Sequence, residues 1–149
     1  MSHSLNKIWI HAIWSTKDRF PFIEKQHEQS IYNFIEKEFQ DLGSPLKIIN
    51  GMPDHIHCLF LLNPQKSISD IIKQIKGSTS HHINQNNLCS NKFSWQTGYA
   101  AYSISESIVD KVYHYIINQK EHHKLKSFQE EYDAFIKVYK LETINSPRF

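Results

Sequence analysis

The chain has 149 residues, of which 40% are hydrophobic and 21% are charged, and it carries a formal net charge of +2. This length and composition are typical of one globular domain over residues 1–149, and they exclude a disordered or fibrous chain. The net charge is too small to indicate a nucleic-acid-binding protein unless the basic residues are gathered on one face.

The cysteine and histidine contents give the first indications of the cellular setting and the chemistry. Cys58 and Cys89 are the only cysteines and form no CxxC pair, which favours a reducing cytoplasm over a disulfide or zinc scaffold. No signal-peptide pattern opens the sequence, and no run of about 18 apolar residues predicts a membrane span. The ten histidines are many for this length and suggest metal or acid–base chemistry.

Hydrophobic periodicity and turn residues predict a series of helices and strands along the chain. In chain order they are a strand at 5–14, a helix at 24–42, strands at 45–51 and 55–62, a helix at 67–84, a loop at 84–91, a strand at 98–104, and helices at 108–123 and 129–141. This order predicts an α+β protein with a ferredoxin-like βαββαβ core, in which an antiparallel sheet has helices on one face, plus a C-terminal helix. The second sheet face is left for dimerisation or nucleic-acid binding.

His55 and His57 lie two residues apart in the strand HIHCLFLL, so both side chains are expected on the same sheet face. Two neighbouring imidazoles can take adjacent positions on a divalent cation, but a third ligand must then come from another element. The alternative is a pair of half-exposed surface histidines, which is the commoner meaning of an isolated His-x-His pattern. Histidines elsewhere in the chain are expected to be structural or surface residues, namely His3, His11, His27, His81 and His82.

The segment VYHYIINQ contains two tyrosines that a helix separates by about 200°, so they cannot share a role. Tyr113 lies in the apolar stripe and is expected to be a core residue. Tyr115 and Gln119 are four residues apart and project together. A tyrosine hydroxyl could act as a nucleophile beside a cation or a polarised phosphate, and a glutamine oxygen could join two histidines on a metal. The helix alone favours the alternative, in which Tyr115 is an aromatic residue at the flank of the helix and Gln119 is a solvated amide. A role for His114 as a base is less favoured, because His114 faces away from Tyr115.

Four motifs in a consistent order resemble one family. MPDHIHCLF, SISDIIKQIKGSTS, WQTGYAAYSIS and YIINQKEHHKLKSFQEEY are similar to segments of the small single-tyrosine transposases of insertion sequences, which belong to the HUH endonuclease superfamily. REP-associated tyrosine transposases share the same pattern. The resemblance extends from about Ile10 to about Tyr132 and departs from the family mildly in GYAAYSIS, where Ala100 and Tyr102 stand in place of an expected glycine and phenylalanine.

The resemblance implies a catalytic site as well as a fold. His55 and His57 match the metal-binding pair, Tyr115 matches the nucleophile, and Gln119 matches the third metal ligand. The implied cofactor is Mg²⁺ or Mn²⁺, and the implied fold is ferredoxin-like. The implied assembly is a homodimer in which the tyrosine helix of one subunit can complete the site of the other.

The implied reaction is cleavage and rejoining of single-stranded DNA, with hairpin-forming element ends, through a 5′-phosphotyrosine intermediate in a bacterial or archaeal cytoplasm. Candidate DNA contacts are Lys17, Arg19, Lys73, Lys76, Trp95 and Phe93, each of which could instead be a solvated lysine, a solvated arginine or a core aromatic. His122 lies one turn beyond Gln119 and could support the metal ligands or lie on the surface.

Three other functions stay open from the sequence. A domesticated REP-associated transposase would use the same chemistry in a different biological role. A metal-dependent hydrolase would release free 5′-phosphate ends. A non-catalytic ferredoxin-like domain could bind nucleic acid on its sheet, but that function leaves the histidines, glutamine and tyrosine unexplained.

Overall fold

The computed structural model describes residues 4–122 together with 130 and 133. Its helices and strands are β1 (Trp9–Ser15), α1 (Lys25–Asp41), β2 (Leu46–Met52), β3 (His55–Leu61), α2 (Ile68–Gln85), β4 (Ala100–Ile104), α3 (Val109–Ile117) and α4 (Gln119–His122), with short 3-10 turns at Lys17–Arg19 and Glu106–Ile108. The helix predicted at 129–141 lies outside the described residues, apart from positions 130 and 133. In the described part of the chain, no helix is long and apolar enough to cross a membrane.

The four strands form one antiparallel sheet in the order β2-β3-β1-β4. β3 and β1 are therefore the central strands, and α1 and α2 provide the two crossover connections of a ferredoxin-like fold. The predicted α+β, ferredoxin-like architecture is confirmed. The main difference at the strand ends is that β1 begins at Trp9 rather than at residue 5, because residues 5–8 lie exposed before the sheet.

One sheet face forms the main hydrophobic core with α1 and α2. Alternate residues of the central strands point into this core, as the two-residue period of a strand requires. They are Ile10, Ala12 and Trp14 from β1 and Ile56, Cys58 and Phe60 from β3. The two helices contribute Ile31, Ile35 and Phe39 from α1 and Ile71, Ile72, Ile75 and Ile83 from α2, all of them buried.

The opposite sheet face is covered in part by α3, which the sequence pattern alone did not place. A second hydrophobic cluster joins three residues of the sheet to three residues of α3. They are Trp9, Leu59 and Ile104 from the sheet and Val109, Val112 and Ile116 from the helix. β1 is buried along its whole length because helices lie on both sides of the sheet. The ferredoxin-like core therefore has two helices on one face and the tyrosine-bearing helix on the other.

The helix predicted at 108–123 is interrupted, and this part of the prediction is wrong. α3 ends at Ile117, Asn118 has φ −95° and ψ 18°, and the four-residue α4 follows. The amide nitrogen of Asn50 in β2 donates hydrogen bonds to the carbonyl oxygens of Ile116 and Ile117, at 3.0 and 3.1 Å. Carbonyls in the last turn of a helix lack partners within it, so bonds from a neighbouring strand stabilise an end at this point.

β3 lies close against β2 at Gly51, which pairs with Ile56. A Cβ atom added at Gly51 would lie 2.2 Å from the carbonyl oxygen of His55 and 2.8 Å from the Cα atom of Ile56. Any larger residue must therefore push β3 away at the position that carries the first histidine.

Replacing Gly51 with alanine is expected to lower the free energy of unfolding by about 1–3 kcal/mol, the usual cost of overpacking. The matched control is Gly77→Ala in α2, where an added Cβ meets no atom within 4 Å. Gly77→Ala should leave the free energy of unfolding unchanged or raise it by about 0.5–1 kcal/mol, since alanine is the better helix former. Guanidinium denaturation measures both, and equal stabilities of the two variants would contradict the close approach of the strands.

Candidate active site

His55 and His57 lie side by side on the sheet face that α3 covers. His55 pairs with Ser15 of β1 and His57 pairs with Ile13, so these four side chains share one face. The ring centroids of the two histidines are 5.2 Å apart, and the residues are 0% and 1% exposed. The expectation of a shared face is confirmed, and the alternative of half-exposed surface histidines is wrong.

The Nδ1 atom of each histidine has a specific neighbour. His55 Nδ1 lies 2.7 Å from Oδ1 of Asp54, and His57 Nδ1 lies 3.0 Å from Nε2 of His11. A neutral imidazole carries its proton on one nitrogen and a lone pair on the other, so a carboxylate that accepts from Nδ1 leaves the lone pair at Nε2. Asp54 therefore favours the form of His55 that can bind a cation through Nε2.

Gln119 brings an oxygen to that Nε2 atom. Its Oε1 lies 3.3 Å from His55 Nε2, and the residue is completely buried. Two adjacent ligand atoms of an octahedral cation with bonds of about 2.1 Å are roughly 3 Å apart, so this separation fits a shared ion. Rotation of the amide by 180° would instead make the contact an ordinary N–H donation to Nε2.

Three or more His, Cys, Asp or Glu side chains do not gather into a metal site anywhere within residues 4–122 or at 130 and 133. A carboxamide oxygen can also bind a cation, and that of Gln119 lies beside His55. A set of two imidazoles and one amide carries no charge of its own. Such a set leaves positions on a cation for oxygen ligands from a substrate.

The two tyrosines of α3 have different surroundings, as their angular separation predicts. Tyr115 is half-buried, and its ring centroid lies 5.8 Å from that of His57 and 6.4 Å from that of His11. Tyr113 faces Lys47, whose amine is 5.6 Å from the ring centroid. Tyr113 is only half-buried and packs at the rim of the second cluster, so its expected core position is only partly correct. His114 is exposed.

The segment that carries Gln119 is fastened to β2 and α1. Besides the bonds from Asn50 to the end of α3, the amine of Lys120 donates to Oδ1 of Asn50 at 3.0 Å and to the carbonyl oxygen of Gly51 at 3.1 Å. The same amine lies 2.9 Å from the carboxylate of Glu28. These contacts hold α4 over β3 within a single chain.

Two neighbours of the histidines were not identified from the sequence. His11 was expected to be a structural or surface residue, yet it is 0% exposed and lies within hydrogen-bond distance of His57. It pairs with Tyr102 of β4 and lies diagonally from His57 across β1 and β3. The available signal was the alternation of β1, which places a polar His11 on a buried face. For Asp54 the only signal was its position directly before His55.

The basic residues proposed from the loop after β1 lie near the start of β3. Lys17 is exposed and Arg19 is half-buried on the 3-10 turn, where Asp18 and Arg19 both have positive φ angles, of 54° and 55°. The turn is tied to the residue before His55, because the backbone N–H of Thr16 donates to the carbonyl oxygen of Asp54 at 2.9 Å.

Lys73, Lys76 and Trp95 line a different surface, an open groove of about 590 Å³ between α2 and residues 94–99. α2 packs on the main core, so this groove lies on the side of the sheet opposite to His55 and His57. The amine of Lys76 donates to the carbonyl oxygens of Gln96 and Gly98, at 2.8 and 2.9 Å, and its partial burial lowers its pKa. Lys73 is exposed.

The two aromatic candidates pack into the protein around this groove. Trp95 is half-buried, donates its indole N–H to the carbonyl oxygen of Lys76 at 3.1 Å, and packs edge-on against Trp14. Phe93 is buried in the main core. His122 ends α4, and its side chain lies outside what the structure describes.

Comparison with known proteins places this geometry in a family. Residues 4–119 match the family model described as "Transposase IS200 like". The ISDra2 transposase TnpA of Deinococcus radiodurans is 23% identical over 117 residues, which cover 74% of this chain and 83% of that protein.

Two solved structures are similar in fold. The crystal structure of a candidate transposase from Deinococcus radiodurans is 25% identical with a TM-score of 0.60, and the match covers 80% of this chain and 95% of that one. A REP-associated tyrosine transposase bound to a REP hairpin is 18% identical with a TM-score of 0.55, covering 82% and 74%. Because the family model matches most of its length, the chain belongs to the IS200-like transposase family, whose members are DNA-processing enzymes.

Proposed function

We propose that this transposase cleaves and rejoins single-stranded DNA through a 5′-phosphotyrosine intermediate at Tyr115, using a divalent cation held by His55, His57 and Gln119. One observation carries the proposal. Tyr115 and Gln119 both lie against the buried histidine pair of the same chain, with the tyrosine ring beside His57 and the amide oxygen beside His55.

The hydroxyl oxygen of Tyr115 is the proposed nucleophile. It attacks the phosphorus atom of a DNA phosphodiester and loses its proton, a phosphorus–oxygen bond forms to the tyrosine, and the bond to the 3′-oxygen breaks. The departing oxygen gains a proton and becomes a 3′-hydroxyl. One diester replaces another, so a 3′-hydroxyl from a second strand can reverse the step and rejoin DNA without a high-energy cofactor.

The donor set fits Mg²⁺ or Mn²⁺ as the cation. The amide oxygen suits Mg²⁺ and Mn²⁺, and imidazole nitrogens bind divalent transition metals, which favours Mn²⁺. The 3.3 Å separation of Nε2 in His55 from Oε1 in Gln119 is compatible with adjacent coordination positions. When bound, the cation would polarise the scissile phosphate and stabilise charge on the leaving oxygen. Asp54 contacts Nδ1 of His55 and His11 contacts Nδ1 of His57, so each proposed ligand ring has a hydrogen-bonding neighbour on its other nitrogen.

The proposed partner is single-stranded DNA with hairpin-forming ends, met in a bacterial or archaeal cytoplasm. The similar fold of a REP-associated transposase bound to a REP hairpin supports this choice. Lys17 and Arg19 are candidate phosphate contacts because their turn adjoins Asp54. Lys73 and Trp95 are candidates for a second contact along the groove beside α2, while the amine of Lys76 is engaged with two loop carbonyls. His122 is proposed to support the ligands of the cation.

We further propose a homodimer in which each site is assembled from one chain. The contacts of Asn50 and Lys120 support this arrangement because they fasten the end of α3 and α4 to the chain's own β2. A domesticated transposase acting on genomic repeats would use the same site. A non-catalytic binder using an open sheet is disfavoured, because α3 occupies the second face through Val112 and Ile116.

Tyr115→Phe is expected to abolish the covalent protein–DNA adduct while leaving DNA binding unchanged, because only the nucleophilic oxygen is removed. The matched control is Tyr113→Phe, which should keep the adduct since Tyr113 faces Lys47. A denaturing gel of labelled single-stranded DNA measures the adduct. An adduct on Tyr115→Phe would overturn the assignment, and free 5′-phosphate ends with the wild type would indicate a hydrolase instead.

His55→Ala is expected to lower the affinity for Mn²⁺ by at least about tenfold. Loss of a residue that only hydrogen-bonds to a metal ligand typically lowers metal affinity by about 10–100-fold, and loss of a ligand itself should cost no less. The control is His82→Ala, since that ring stacks on Phe34 at 4.0 Å on the far side of the sheet. Isothermal titration calorimetry of the DNA-free protein measures both. Unchanged Mn²⁺ affinity in His55→Ala would contradict the proposed ligand set.

Co-expression of Tyr115→Phe chains with differently tagged His57→Ala chains distinguishes the two ways of building the site. With each site assembled from one chain, no pairing of these variants restores a complete site, so no adduct is expected. Wild type co-expressed with Tyr115→Phe is the positive control and should give an adduct on the wild-type chain. An adduct on the His57→Ala chain would show instead that the tyrosine helix serves the partner subunit.

A further inference from the structure

His11 is a completely buried imidazole to which the proposed chemistry assigns no catalytic step. It lies on β1, directly opposite Tyr102 of β4 and diagonally across from His57 of β3. Its Nε2 atom is 3.0 Å from Nδ1 of His57, and the two ring centroids are 5.2 Å apart with planes tilted by 34°. Its ring also packs against Tyr115 in a T-shaped arrangement, at a centroid distance of 6.4 Å. One side chain therefore contacts both a candidate ligand and the candidate nucleophile.

A hydrogen bond between two imidazole nitrogens needs one donor and one acceptor, and the choice has a consequence for His57. If Nδ1 of His57 donates, the lone pair of its neutral ring lies on Nε2, where a cation can use it. If Nε2 of His11 donates, Nδ1 of His57 is the acceptor and the neutral ring carries its proton on Nε2. In that second form Nε2 of His57 cannot bind a metal. The proton position within this pair therefore decides whether His57 is a ligand.

Only the first form suits a cation that His57 shares with His55. His55 is held through Nδ1 by the carboxylate of Asp54, which leaves its lone pair at Nε2, beside Gln119. A cation bound by both histidines requires the same form of His57. The ring of His11 is itself packed between Tyr102, at 6.5 Å, and Tyr115, so its orientation toward His57 is set by two strands and a helix.

We propose that His11 is a positioning residue whose Nε2 accepts the proton of His57 Nδ1 and so keeps the lone pair of His57 on Nε2 for the divalent cation. This inference rests on the proposed function, because it presumes that His57 is a ligand. Asp54 and His11 then form a matched pair of supports, one behind each ligand. Partners of this kind fix the ring orientation and the tautomer of metal-binding histidines.

The first test compares two substitutions of His11 in the DNA-free protein. His11→Phe keeps an aromatic ring against Tyr102 and Tyr115 but removes the acceptor, and it should lower the Mn²⁺ affinity by about 10–100-fold. His11→Gln can accept through its amide oxygen and should retain an affinity within about threefold of wild type, a clearly smaller loss than that of His11→Phe. The control is His82→Phe, which replaces a histidine on the far side of the sheet, and its Mn²⁺ affinity should match that of wild type. Calorimetry measures all three, and circular dichroism confirms that each is folded.

The second test needs neither metal nor activity. Nitrogen-15 spectra of metal-free wild type should show His57 protonated on Nδ1, whereas His11→Gln should preserve and His11→Phe should lose this single form. Protonation of His57 on Nε2 in wild type would overturn the proposal. Wild-type Mn²⁺ affinity in folded His11→Phe, or equal losses in the Gln and Phe variants, would also overturn it. The wild type could also show the expected tautomer and Mn²⁺ affinities but form no adduct at Tyr115. That result would refute the proposed reaction and leave the role of His11 intact.

Discussion

The antiparallel pairing of β1 with β3 determines which chemical groups meet on the second face of the sheet. His57 lies opposite Ile13 and His55 opposite Ser15, while Ile56 and Cys58 point into the main core. A slip of one residue would exchange these two sets and bury both imidazoles among the isoleucines of α1 and α2. Burying polar rings without suitable partners is costly. The hydrophobic core therefore enforces the register that presents the histidines to α3.

α3 covers the sheet and also carries Tyr115, the proposed nucleophile. Its apolar residues Val112 and Ile116 close the second hydrophobic cluster. This packing brings Tyr115 over His57, and the interruption after Ile117 allows Gln119 to reach His55 from α4. Stability and site assembly thus depend on the same contact surface.

The sequence predicted the parts of the structure that depend on local periodicity. Strand alternation placed His55 and His57 on one face, and the hundred-degree step of a helix separated Tyr113 from Tyr115. The order of the strands and helices was sufficient for the ferredoxin-like topology. These predictions succeed because neighbouring residues in the chain determine them.

The remaining features depend on residues far apart in the chain, which periodicity does not relate. His11 meets His57 across 46 positions, and Asn50 meets Ile116 across 66. The alternation of β1 indicates that His11 is buried, but it does not indicate which distant residue His11 contacts. Likewise, the bonds that Asn50 donates to the last carbonyl groups of α3 cannot be read from the sequence around Ile117 and Asn118.

Lys120 has a consequence for the motion of the segment beside it. Its amine joins α4 to Asn50 and Gly51 of β2, and also to Glu28 of α1, which packs against the opposite face of the sheet. Lys120 therefore links α4 to α1 around the edge strand β2. Movement of α4 away from β2 would strain these contacts, and their loss would leave the half-buried Glu28 carboxylate without this cation. The contacts of Lys120 thus oppose movement of α4 about Asn118.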